Sequence, residues 1–434
     1  MTSEEKQEKM FEKWLSPSGI EFVSAEAEEA YKSRANRIKK AIQLKETPDR
    51  VPVILGVGLY PARYTGMTIQ DIMYDAEKAV FAYTKVVMDF VPDAYSGGPI
   101  SGKFNEILVN KQYKWPGYGL PPNADFQYVE AEYMKADEYD HLIEDPSDFW
   151  LRVYLPRVFG ALEPFTKLAP VTEVLETTAM NSFLPFGLPE VQEALNALIA
   201  AGNEAVQWST KVREIGRTLR ANGFPAFGGG TTRAPFDIIG DTLRGTRGIM
   251  LDMYRKPEKL LEAIERLTPL AIRWGVTSAK KTGSPLVGIP LHKGADGFLS
   301  DAQFKTFYWP SLRKVIIGLV EEGLVPRLFA EGGYNTRLEV VRDIPKGKTI
   351  WYFDNTDMAK AKDILGDVAC IMGNVSLSLL QIGSPQEVEE YCKKLINVAG
   401  KGGGFILCSG ASLDNAKPEN VHAMIQAAKE YGVY

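Results

Sequence analysis

Four short apolar runs between residues 326 and 409, PRLFAEG, TIWYFD, ACIMGN and GFILCSG, constrain the fold of this chain more than any other feature. Each is rich in β-formers and nearly continuous in apolar character, as a strand is when it lies buried on both faces of a parallel sheet covered by helices. The intervals 335–344, 357–365 and 384–398 carry apolar residues at three- and four-residue steps. Ser384-Pro385-Gln386-Glu387 opens the last with a capping-box spacing and a proline in the first turn. Glu331, Asp354 and Asn374 follow one another at steps of 23 and 20 residues, the length of one strand plus one helix. Repeated units of this kind predict an α/β fold, a single (β/α)8 barrel.

In such a barrel every strand delivers its last residues to one rim, where chemistry sits. Glu331, Asp354, Asn374 and Cys408 are therefore predicted to converge, and two carboxylates, an amide and a thiol on one rim exceed what packing requires. Upstream, residues 51–57 read as the first strand, and the loop GLYPARYTG after it brings Tyr60, Arg63 and Tyr64 toward the mouth. PDAYSGG, with Tyr95, reads as the second strand, and GFPAFGGGTTR as the third, its loop offering Arg233. SPLVGIPLH reads as the fourth and ends in His292, one of only three histidines. His141 sits among charges and reads as a solvated side chain. Tyr60, Tyr64, Tyr95, Phe329, Tyr334, Trp351 and Tyr352 suggest an aromatic rim suited to a flat apolar ligand. Neighbours on a strand point to opposite sides, so one of Trp351 and Tyr352 should face the helices.

The 434 residues are long for one domain but fit a barrel with additions, and a 45% apolar content can fill a large core. Residues 1–45 read as a helical extension, 46–434 as the barrel, and 100–220 as an insertion after the second strand, whose aromatic loop WPGYGLPPNADFQY reads as a lid or a plain surface loop. A net charge of −5 with both signs interspersed gives no basic footprint for nucleic acid. No apolar run approaches a membrane span and the start lacks a signal-peptide core, so a cytoplasmic protein is expected. Three cysteines in or beside predicted strands and a helix argue against a disulfide framework.

WYFDNTDMAKAKDILGD, CIMGNV, LLQIGSPQEVEEYCKKLI and GGGFILCSGASLDNAKPENVHAMI together resemble the uroporphyrinogen decarboxylase superfamily. ETPDRVPV, TTRAPFDIIGDTLRGTRGIMLDMYRKPEKLLE and GFLSDAQFKTFYWPSLRKVI extend the resemblance over most of residues 45–434. True decarboxylases of this family carry two arginines in the first loop and an aspartate at the second strand. This chain has only Arg63 in that loop, and Tyr95, Ser96 and Gly97 where the aspartate would lie. The resemblance therefore points to the cobalamin-dependent methyltransferase and O-demethylase branch. The zinc site of those methyltransferases, His-x-Cys at one strand end and Cys at the last, reads here as Phe329-Ala330-Glu331 and Ala411.

What the resemblance implies is a methyltransferase that moves a methyl group from a small, methoxyaromatic substrate to the corrinoid (cobalamin) of a partner protein. It also implies a homodimer. Glu331, His292 and Asp354 are the candidate catalytic residues, and Tyr60, Arg63, Tyr95, Arg233, Tyr352 and Asn374 the candidate substrate contacts. Two readings of Glu331 stand side by side. It ligates zinc with His292 and Cys408, the metal polarising the ether oxygen; or, metal-free in an apolar pocket, it protonates the leaving oxygen. Uroporphyrinogen decarboxylase itself, which needs no cofactor, and a non-catalytic ligand-binding barrel are the alternative functions.

Overall fold

The computed structural model describes residues 1–434, the side chains of Thr177 and Thr178 excepted. Its strands, in chain order, are β1 (Ile54–Gly56), β2 (Ala94–Ser96), β3 (Tyr113–Pro116), β4 (Gly119–Leu120), β5 (Gln127–Tyr128) and β6 (Gly230–Thr231), followed by β7 (Leu286–Leu291), β8 (Val325–Ala330), β9 (Ile350–Phe353), β10 (Cys370–Val375) and β11 (Phe405–Ser409). Strands β6 to β11 form one parallel sheet in sequential order, and β1 pairs in parallel with β2. Two single bridges join the pieces, Val53 to Leu407 and Tyr95 to Ala226, both parallel. Hydrogen bonds from Leu407 N–H to Pro52 O (2.9 Å) and from Phe227 N–H to Tyr95 O (2.7 Å) support them. Eight parallel strands thus run in chain order around a closed ring, the predicted barrel, with β3 to β5 apart in a small sheet.

Period-two alternation divides the ring into two layers. Leu55, Tyr95, Leu328, Ala330, Trp351, Phe353, Ile371 and Leu407 belong to the outer cluster against the helices. Ile54, Ala94, Phe227, Leu286, Val325, Ile350, Cys370 and Ile406 belong to the inner one. Helices α1 (Ser3–Leu15) and α2 (Ala25–Gln43) contribute Phe11, Trp14, Tyr31, Ile38 and Ile42 to that inner cluster, so they close the end where the strands begin. Asp93 ties this end together, accepting from Arg37, Arg50 and the Val53 N–H at 2.7–2.8 Å.

The interval patterns became helices at Leu338–Val341, Met358–Leu365 and Pro385–Leu395, the last with the expected reciprocal cap between Ser384 and Glu387. The insertion after β2 is mostly helical and includes the 33-residue helix Pro189–Ala221. All three cysteines are buried free thiols. Among the described residues no helix is long and apolar enough to cross a membrane.

Candidate functional site

The site begins with a short helix, Pro235–Asp237, that continues as a π-helical turn over Ile238–Leu243 after β6. Asp237 and Asp241, four residues apart, share its inner face. Asp237 is fully buried and pins the turn after β7, accepting from His292 N–H at 3.1 Å and Lys293 N–H at 3.2 Å, and from the Tyr308 hydroxyl at 2.7 Å. Burial first, and the Asp241 charge second, push its carboxyl upward. Asp241 accepts from His292 Nδ1 at 2.6 Å and lies 3.0 Å from the Lys293 ammonium. Burial opposes its charge, but the His292 hydrogen bond and Lys293 together hold its pKa down.

These anchors fix the ring of His292, whose Nδ1 is committed to Asp241, so that Nε2 faces Glu331 Oε2 at 3.7 Å. The Asp241 hydrogen bond raises the His292 pKa, against the effect of burial. Glu331 follows β8 directly and is raised too, by desolvation above all, with Asp354 and Asp241 adding and His292 and Arg233 opposing. Two proton-binding groups therefore face each other across a gap too wide for a direct hydrogen bond. Gly332 makes the turn after Glu331 at φ 78°, a conformation that favours glycine, and its N–H donates to Asp354 Oδ2 at 3.1 Å.

Several sequence expectations meet here and others do not. His292, Glu331, Asp354 and Arg233 share the mouth, with Arg233 acting electrostatically on Glu331. Tyr352 points inward, stacked on Phe329 with centroids 4.4 Å apart, and its hydroxyl donates to Ser409 O at 2.9 Å. Asn374 spends its amide on Thr356 O at 2.9 Å, which holds the loop after β9. Tyr95 is a correction: it pairs in register with Leu55 on the helix-facing side, while Ala94 and Ser96 face in. Tyr60 is another, buried in the outer layer against Tyr64 and Phe90. Trp351 likewise faces the helices and Tyr334 is wholly buried, so the aromatic rim shrinks to Phe329 and Tyr352. Arg63 is bound by both oxygens of Asp125, at 2.9 and 3.0 Å. His141 keeps a partly solvated side chain and is paired with Asp148 at 2.6 Å.

The zinc set does not assemble. Cys408 lies deep in the barrel, its thiol pushed up by burial. Asp354 instead faces Gly410, two residues beyond Cys408 and just past the end of β11. The stagger of the strands thus leaves Cys408 one pleat below the mouth. Among the described residues no group of three or more His, Cys, Asp and Glu is arranged to hold a metal ion. His292 and Glu331 supply two donors where a zinc centre takes three or four.

The loop expected as a lid lies over this region. Trp115 stacks on Tyr118 at 4.7 Å, and the Tyr128 hydroxyl donates to the backbone carbonyl of Asp241. Sequence reading missed Asp237, Asp241, Lys293 and Tyr308. The spacing of the two aspartates in APFDIIGDTLRG, within an apolar helical stretch, was the available signal for the first pair.

Comparison with known proteins agrees with this architecture. The sequence model of the family described as Uroporphyrinogen decarboxylase (URO-D) matches residues 211–431. The uroporphyrinogen decarboxylase of Saccharophagus degradans is 26% identical over 227 residues, 51% of this chain and 62% of that protein. That of Pseudomonas syringae is 24% identical over 265 residues, 59% of this chain and 70% of that protein. The chain thus spans about three-fifths of the length of the first of these relatives. A solved methyltransferase from Methanosarcina mazei superposes with a TM-score of 0.61 at 16% identity, covering 93% of this chain and 98% of the other, a likeness of fold. With half of its length matched by the family's own sequence model, including β6 to β11 and the strand ends that build the mouth, this chain belongs to the uroporphyrinogen decarboxylase family.

Proposed function

We propose that the protein is a methyltransferase that takes a methyl group from a small O-methyl aromatic substrate and delivers it to the corrinoid of a partner protein. The observation that carries this reading is the facing pair of His292 and Glu331, both with raised pKa, above an aromatic wall of Phe329 and Tyr352. Breaking an O–CH3 bond leaves the electron pair on oxygen, and a proton supplied there turns a poor leaving group into a neutral alcohol or phenol. The reduced corrinoid of the partner supplies the nucleophile and accepts the methyl group.

Glu331 is the proton donor in this scheme. Desolvation favours its neutral form, and the 3.7 Å gap to His292 Nε2 leaves both groups free to approach one substrate oxygen. Asp241 keeps Nδ1 of His292 occupied, so that only Nε2 serves the lumen. Phe329 and Tyr352 offer a flat apolar surface beside that oxygen. The decarboxylase reading, suggested by the names of the curated relatives, finds less support. Arg63, the one first-loop arginine, is occupied by Asp125, and the inward residues of β2 are Ala94 and Ser96.

The test is to incubate the purified chain with a panel of methoxyaromatics and a reduced corrinoid protein, following the visible spectrum of the corrinoid. Methyl transfer is expected. A panel without transfer, or formation of coproporphyrinogen from uroporphyrinogen, would overturn the assignment.

A further inference from the structure

Strand β8 turns Val325, Arg327, Phe329 and Glu331 toward the barrel axis. Arg327 and Phe329 are partly accessible, as are Gly288 and Pro290 of β7 and Tyr352 of β9, although the residues on both sides of each along the strand are buried. Accessible surface flanked in this way lies inside the barrel. A lumen therefore descends from Glu331 past Phe329 and Tyr352 to Arg327.

At its lower end a cation lacks a counter-ion. Arg327 donates once, from Nη1 to Phe227 O at 2.8 Å, and its guanidinium carbon sits 5.2 Å from the Phe227 ring. A guanidinium has five N–H donors and stays charged in proteins. Among the described residues no carboxylate forms an ion pair with it. The groups whose charge would act on it are the Tyr352 phenol and the Cys408 thiol, both kept neutral by burial. The three most buried arginines of the molecule, Arg37, Arg244 and Arg337, each have an aspartate partner. Burying a cation without a partner costs heavily unless a ligand completes it. The space for one is also present: Gly288 stands beside Arg327 in the ladder, and a Cβ there would lie 3.4 Å from Nη2. A glycine inside a strand marks a point of close approach.

We infer that Arg327 is the anchor for a carboxylate on the aromatic substrate, held by its free N–H groups beside Gly288 at the bottom of the lumen. This deepens the methyl-transfer reading and rests on it for the orientation of the ligand. The carboxylate binds below, the ring lies against Phe329 and Tyr352, and the methoxyl oxygen rises to Glu331 and His292. Arg327 and Glu331 are four residues apart on one strand, roughly 13 Å between Cα atoms at the usual rise. A single ring bearing both groups at opposite ends bridges that span once the two side chains reach toward it.

The decisive probe is benzoate, which carries no methyl group to transfer. Calorimetric titration of the full chain with benzoate, benzamide and anisole should show benzoate binding at least about tenfold more tightly than either neutral analogue, as a bidentate guanidinium–carboxylate contact requires. Arg327→Met, similar in length, should erase the preference, and Gly288→Val should weaken benzoate by filling the space while leaving the charge. Equal binding of benzoate and benzamide by the wild type overturns the inference, as does a preference that survives in Arg327→Met. If Arg327→Met does not fold, the wild-type selectivity and the Gly288→Val titration decide. Failure of methyl transfer from 4-methoxybenzoate despite selective benzoate binding would refute the proposed activity and leave the anion site standing. Transfer from neutral ethers that benzoate does not inhibit would refute the anion site and leave the activity.

Discussion

The mouth of the barrel and the lumen below it treat charge in opposite ways. Around His292 the protein completes its own circuit: Asp237 holds the backbone of His292 and Lys293, Asp241 holds both of their side chains, and Asp354 nearby is bound by the N–H of Gly332. Two pleats lower, Arg327 has one carbonyl and no acid. The difference teaches which groups are set before a ligand arrives and which wait for it. A preorganised pair such as His292 and Glu331 can act on a reacting atom without rearranging, whereas an uncompensated cation gains most when something anionic enters.

The largest expected effect tests whether the mouth does chemistry at all. Glu331→Gln is nearly isosteric and removes the transferable proton, so methyl transfer should fall about 10²–10⁴-fold. Thermal unfolding should change little, because the Glu331 side chain makes no hydrogen bond among the described residues. Full activity on a verified substrate would reduce Glu331 to a bystander. Zinc analysis of both proteins would show whether ligation by Glu331 contributes.

Next in size is the foundation of the mouth. Asp237→Asn exchanges a carboxylate with two acceptor oxygens for an amide with one, so one of the His292 and Lys293 N–H groups must face a donor. A loss of about 1–3 kcal/mol is expected from a buried N–H left without an acceptor. Its pH dependence has a definite sign. The folded state binds the Asp237 proton more tightly than the unfolded chain does. This contribution to stability is full below the ordinary aspartate range and is lost as pH rises through the raised pKa. Denaturation curves of Asp237→Asn should lack that slope. A variant that retains the wild-type pH profile would mean that another group produces it.

A finer test concerns the coupling across the 3.7 Å gap. His292 lowers the Glu331 pKa by its positive charge, while desolvation raises it. His292→Asn removes the opposing influence, so the Glu331 pKa should move farther up. If Glu331 donates the proton, activity falls as pH climbs through that pKa, and the alkaline limb of the rate profile should shift to higher pH in the variant. A limb that stays in place or moves to lower pH would separate the two residues.

The same contrast explains how much the sequence could say. The C-terminal half of the barrel was legible because its strands are long, apolar and regularly spaced; Glu331, Asp354 and His292 could be placed by counting to strand ends. The N-terminal half was harder, since β1 and β2 have three residues each and β6 has two, with the ring closed there by single bridges. Tyr95 was misplaced because, in so short a strand, one position decides between lumen and helices. Cys408 was misplaced for a related reason: counting along its own strand cannot give the stagger of that strand against its neighbours. Arg327 was visible as a lone charge in VPRLFA, but a charge in an apolar run does not declare that its partner is missing. That follows only when every neighbour is in place.

The smallest expected effect lies at the edge of the mouth, where Arg63 and Asp125 pin the loop over 117–128. One nitrogen of Arg63, Nη2, donates to both Asp125 oxygens, and the Arg63 side chain is 23% exposed and that of Asp125 51%. An ion pair so open to water gains little net energy, because solvation and side-chain entropy offset most of the attraction. A double-mutant cycle of Arg63→Ala and Asp125→Ala should give a coupling of about 0.2–1 kcal/mol, smaller still at high salt. The loop has other anchors in the Trp115–Tyr118 stack, the 3.1 Å hydrogen bond from Trp115 Nε1 to Tyr74, and the Tyr128 contact with Asp241. Breaking the ion pair should therefore speed proteolysis of the 117–128 segment without releasing it. A coupling well above this range would show that the pair is shielded from water in solution, and would place Arg63 among the self-completed charges of the mouth. A coupling near zero with no change in proteolysis would assign the hold on the loop to its aromatic contacts alone.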